Sequence, residues 1–126
     1  SSAASDVYKR QEKNSSMVKA PFGIVGMETA AALTYTELVL GGYLTPMQMV
    51  EKMSYNPAQI LHLKKGTLEE GRMADVMLFD PECTYAIDKN KFWSKAKNTP
   101  FHGRKVTGKV MMTICDGKIV YDAAEE

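Results

Sequence analysis

Side chains that bind metals or change redox state are scarce, with two cysteines and two histidines in 126 residues. Cys83 and Cys115 lie far apart with no CxxC spacing, which excludes a disulfide framework or a zinc ribbon and predicts two buried or half-buried thiols. His62 and His102 form neither an HxH nor an HExxH pair, so the chain lacks the ligands for a transition-metal centre of its own. Charge of one sign is also missing. A formal net charge of +1 provides no long-range pull on nucleic acid, an anionic membrane or an acidic substrate. No apolar run approaches the ~18 residues of a membrane span, and the N-terminus carries no apolar core of a signal peptide, so a cytoplasmic location is expected. What remains, 44% hydrophobic and 25% charged residues, is ordinary for a folded domain or part of a larger one.

Residues 1–20, "SSAASDVYKRQEKNSSMVKA", are small, polar and charged without a sustained apolar period, so residues 1–18 are expected to form a poorly ordered or artefactual tail. The first eleven resemble adapter-derived sequence, placing the expected natural start near Glu12. From Met27 to Leu40, "METAAALTYTELVL" reads as a helix of about four turns stopped by Gly41 and Gly42. Thr45, Pro46 and Gln48 have the spacing of a capping box, and Asn56, Pro57 and Gln59 repeat the signal. Two short helices are therefore expected to start at Pro46 and Pro57, the second ending before Gly66. Met47, Val50, Met53, Ile60 and Leu61 read as core positions of those helices rather than a methionine-rich ligand site.

After Gly66 the period changes. "ADVMLFD" (74–80), "TYAID" (84–88), "KVTGKVMMTICDG" (105–117) and "KIVYD" (118–122) are rich in β-branched and aromatic residues, and Asp116-Gly117 is a hairpin signal. Helices first and strands afterwards predict two units with a boundary near Lys65 to Gly71.

"KAPFGIVGMETA" (19–30) is the stretch with the most functional content. Its Pro-Phe-Gly turn allows close backbone approach, and Gly26 opens a helix with Glu28 in the first turn, where a carboxylate suits the positive dipole end. It reads either as a ligand loop or as a helix entry with Phe22 as an apolar plug. Elsewhere the candidates are weaker. His62 reads as a helix-terminal histidine, His102 receives no role, and Asp75 and Asp80 read as turn or cap residues around a strand. Lys95, Lys97 and Arg104 read as a solvated basic edge without the interleaved aromatics of a nucleic-acid surface. Phe92 and Trp93 read as an aromatic anchor for the segment that carries them.

"KGTLEEGRMADVMLFDPE" and "DGKIVYD" resemble the closing segment of the amidohydrolase superfamily. Together with "KAPFGIVGMETA" and "FWSKAKNTPFHGRKVTGKVMMTICDGKIVYD", they narrow the likeness to the C-terminal part of bacterial barrel-type dihydroorotases, from about Glu12 to Tyr121. The resemblance implies an α/β fold: residues 19–65 would hold the last helices of a TIM-type barrel, and residues 66–126 would be strands of the accessory composite β-sandwich. The Pro-Phe-Gly turn would then follow the eighth barrel strand, at the face where such barrels place their chemistry. The resemblance assigns substrate contact to the backbone of Phe22 and Gly23.

The same resemblance implies a hydrolase interconverting N-carbamoyl-L-aspartate and (S)-dihydroorotate in de novo pyrimidine biosynthesis. Two zinc ions would polarise the amide carbonyl and hold a hydroxide, while an aspartate of an Asp-His-Ala-Pro-His stretch moves the proton. That stretch would fall near Ala4, where the sequence reads "ASDVY" and Asp6 lacks its partners. No catalytic residue and no metal ligand is therefore assigned here. The chain is expected to be a fragment that binds no zinc and is inactive alone, with a small-molecule substrate, no nucleic-acid or membrane partner, and homo-oligomerisation left open. Two other readings stand beside it. One is a hydantoinase- or allantoinase-like enzyme or an inactive assembly subunit of the same fold, and the other is a small free-standing interaction module.

Overall fold

The computed structural model describes residues 23–125. Helices come first, strands afterwards, and the three strands form one antiparallel sheet in the order β1-β2-β3. The tail expected over residues 1–18, Asp6 and Phe22 lie outside the described residues.

Helix α1 (Met27–Thr34) is capped by Gly26 and runs on through a π-helical turn, Tyr35–Val39. Leu38 and Val39 carbonyls then accept from Tyr43, Leu44 and Gly42, with Gly42 at φ +81° in the left-handed cap position. Helix α2 (Pro46–Val50) opens with the expected capping box: Gln48 N–H donates to Thr45 Oγ1 at 3.2 Å and Thr45 N–H to Gln48 Oε1 at 2.9 Å. The second expected start is not a start. A π-helical turn, Glu51–Tyr55, carries α2 directly into α3 (Asn56–Ile60), and Asn56 makes no cap. Pro57 has no N–H and its ring would crowd the preceding turn of a regular α-helix; the wider turn before it relieves that conflict. His62, at φ 52°, ends the helical part, with its N–H donating to the Gln59 carbonyl.

Strand β1 (Val76–Ala86) replaces the two strands expected over 74–80 and 84–88. Its pairing with β2 (Lys105–Cys115) is irregular between Asp80 and Thr84, where Pro81 cannot donate to a ladder and Asp80 Oδ1 instead accepts from Glu82 N–H at 2.9 Å. β2 returns into β3 (Lys118–Asp122) through Asp116 (φ 51°) and Gly117 (φ 73°), both in the left-handed region that a two-residue hairpin requires. Asp75 fastens that hairpin: its Oδ1 accepts from Asp116 N–H at 2.8 Å and its Oδ2 pairs with Lys65. The hydrogen bond and charge of Lys65, then the Asp116 amide, hold the Asp75 carboxyl below its ordinary value, and Asp75 raises Lys65 in turn.

The core lies where α1 meets the sheet. Ala32, Ile87 and Val106 are buried together, with Leu33, Tyr85, Phe92 and Phe101 packed around them. Gly108 is the contact point: at φ +104° it lets the Phe79 and Tyr35 rings, in an edge-on pair with centroids 5.3 Å apart, occupy the space of a side chain.

Several expectations fail on burial. Met47 and Ile60 are 75% exposed, Val50, Met53 and Leu61 are exposed as well, and the buried residues of α2 and α3 are Met49 and Ala58. Apolar periodicity marks a face that needs covering without supplying the cover. Cys115 is exposed and Cys83 half-buried. Of the aromatic pair, only Phe92 packs inward; Trp93 is 81% exposed. Lys95 and Arg104 are exposed, as expected of a solvated edge, with Arg104 Nη2 2.6 Å from the equally exposed Glu37 Oε1, whereas half-buried Lys97 donates to the Phe92 carbonyl.

Candidate substrate loop

Gly23 sits at φ +116°, a conformation open to glycine and strained for residues with a Cβ. The chain then runs through Ile24 and the buried Val25 to Gly26, whose carbonyl accepts from the N–H and hydroxyl of buried Thr29. The loop is thus anchored by Val25 on one side and by the first turn of α1 on the other.

Against it lies the segment that leaves the short turn Lys89–Lys91. The Glu28 carboxylate accepts from two successive amides of that segment, Trp93 N–H on Oε2 and Ser94 N–H on Oε1, both at 2.9 Å. Partial burial opposes the charge on Glu28. The Ser94 and Trp93 hydrogen bonds and nearby Lys97 outweigh it, so the carboxyl stays below its ordinary range. Four residues on, Asn98 Nδ2 donates to the carbonyl oxygen of Gly23 at 2.9 Å, which leaves Asn98 Oδ1 buried with no donor among the described residues. Thr99 and Phe101 close the segment, Phe101 N–H donating to Thr99 Oγ1 while its ring enters the core.

Gly23 of "PFG" is thus bonded to Asn98 of "SKAKNTPF", 75 residues away, and the two stretches carry the resemblance together. Glu28, read from the sequence as a dipole-compensating carboxylate, and Asn98, to which the sequence reading gave no role, make the connection. No local spacing reveals such long-range bonds; a glutamate in the first turn was the sole hint. The two histidines are not brought together into a site: His62 ends a helix, and His102 Nδ1 accepts from Lys89 N–H at 3.3 Å, beside Asp88. Among the described residues no group of three or more histidine, cysteine, aspartate or glutamate side chains could hold a metal ion. The described residues do not fit the zinc pair that the resemblance implies.

The chain belongs to the amidohydrolase family, whose family model matches residues 3–120 and so takes in most of the first eleven residues as well. It is 47% identical over 116 residues to a dihydroorotase of Clostridioides difficile, covering 92% of this chain and 27% of that protein. It is 49% identical over 113 residues to a dihydroorotase of Acetivibrio thermocellus, covering 90% and 26%. Among solved structures, it resembles the L-hydantoinase (dihydropyrimidinase) of Arthrobacter aurescens, with a TM-score of 0.77 and 34% identity over 83% of this chain and 24% of that one. The dihydropyrimidinase of Brevibacillus agri is similar at a TM-score of 0.78 and 28% identity, over 82% and 23%. The chain thus spans about a quarter of the length of these relatives.

Proposed function

We propose that this chain is the C-terminal quarter of a dihydroorotase, a cytoplasmic zinc-dependent hydrolase that opens and closes the cyclic amide between (S)-dihydroorotate and N-carbamoyl-L-aspartate in pyrimidine biosynthesis. The observation that carries the reading is 47–49% identity to dihydroorotases over nine-tenths of the chain. The hydantoinases share the fold at lower identity, and a hydantoin-type cyclic amide is the second substrate class to test.

In this reading residues 19–65 close the barrel and residues 66–126 belong to the sandwich. The exposed face of Met47, Val50, Met53, Ile60 and Leu61 packs against barrel elements that precede this chain. The zinc ions, which would polarise the amide carbonyl and supply hydroxide, are held by residues outside the described part. What this chain contributes is binding. A glycine at φ +116° presents backbone without a Cβ, so a flat ring can lie against the Phe22–Gly23 peptide. Such contacts orient the substrate and take no part in proton transfer.

The test is substrate discrimination by the full-length enzyme. Comparing kcat/KM for dihydroorotate and for hydantoin under one set of conditions should favour dihydroorotate by at least about a hundredfold. Preference for hydantoin would replace this reading with the second.

A further inference from the structure

Glycine cannot hold its own conformation. Lacking a Cβ, it visits left- and right-handed regions freely, so a loop whose working groups are a glycine's backbone atoms needs an external tether. Gly23 has one, the Asn98 side chain on its carbonyl at 2.9 Å. The tether is itself fastened, because Glu28 grips the amides of Trp93 and Ser94, and Glu28 stands on the helix that starts four residues after Gly23. Gly23, α1, Glu28, the 93–98 segment and Asn98 close a ring of covalent and hydrogen-bonded links. Since a carbonyl can only accept, the Asn98 amide must face Gly23 with its NH₂ end, and its buried Oδ1 is left without a donor among the described residues.

Resting on the function proposed above, we infer that Asn98 and Glu28 are positioning residues for substrate binding. Through the Gly23 carbonyl, the segment that follows the first sandwich strand sets the orientation of the backbone that meets the ring. Neither residue touches the reacting atoms.

Asn98→Asp keeps the shape and removes the donor, and Asn98→Ala removes the side chain. In the full-length enzyme both should raise KM for dihydroorotate about tenfold, the effect of one lost hydrogen bond, with kcat within about twofold because the loss is uniform binding. Glu28→Gln should act in the same direction, since Trp93 and Ser94 donate to separate carboxylate oxygens and the NH₂ that replaces one of them cannot accept. Hydrogen exchange of residues 23–26 should accelerate in all three variants. Thr36→Val, which cuts a different tie of α1, should lower Tm and leave KM unchanged. A wild-type enzyme that turns over dihydroorotate, with KM unmoved in the folded Asn98 variants, would overturn the inference alone. A wild-type enzyme without that turnover would overturn the functional reading, and the inference with it.

Discussion

The Thr36 hydroxyl is bonded twice to the backbone of Thr107, donating to its carbonyl at 3.0 Å and accepting from its N–H at 2.9 Å. A side chain on the π-helical turn of α1 thereby does for β2 what a neighbouring strand would do. Sheet and helix are joined at the one stretch of β2 that β3 does not reach. Thr36→Val keeps the shape and leaves a partly buried donor and acceptor unpaired. We expect a loss of about 1–3 kcal/mol in urea unfolding of the full-length protein, with kinetic constants unchanged.

Gly108 and Gly117 both have positive φ but differ in surroundings. A Cβ at Gly108 meets the Phe79 and Tyr35 rings, whereas at Gly117 it meets open space. Gly117→Ala should cost about 1–2 kcal/mol from backbone strain alone. Gly108→Ala adds about 1–3 kcal/mol for displacing two packed rings. Denaturation midpoints of the two variants, side by side, check the order.

Much of this fold is legible in the sequence wherever one local signal decides the outcome. Thr45 with Gln48 marks a helix start because both partners of the box lie within one turn. Asp116-Gly117 marks a hairpin because few other residue pairs accept two positive φ values. The signal fails where the deciding partner is distant. Pro57 looks like a second start until the π-turn ahead of it absorbs the missing donor. Met47 and Ile60 look like core because their spacing states a need for cover and nothing about who provides it. At the loop, Gly23 is readable as a turn position and has the positive φ that a glycine permits, while the Asn98 tether lies 75 residues away and has no local signature.

The Glu28 carboxyl titrates below its ordinary value of 4.5 in the folded chain, so folding favours its charged form. Its contribution to stability is complete above that value and disappears as pH falls through the lowered folded value. Stability of wild type and Glu28→Gln should therefore differ at neutral pH and converge as pH falls below 4.5 and through the lowered folded value. A difference that persists or grows in acid would show that the carboxylate is not what holds Trp93 and Ser94.

Gly23→Val places a branched side chain at φ +116° beside the proposed ring site. We expect kcat/KM for dihydroorotate to fall roughly a hundredfold, as for a displacement of about 1 Å in a substrate-positioning loop, with the far-UV spectrum unchanged. Unaltered turnover in a folded variant would remove the backbone contact from the account.

The account makes this chain a necessary but insufficient part of a dihydroorotase. A complete (β/α)₈ barrel takes about 250 residues, and the described residues hold no metal-binding group. Release of carbamoyl-aspartate from dihydroorotate, measured with zinc present for the full-length enzyme and for the 126-residue chain at equal concentration, tests both halves at once. The account predicts steady turnover by the full-length enzyme and none above background by the chain alone. Turnover by the isolated chain, or none by the full-length enzyme, would contradict it.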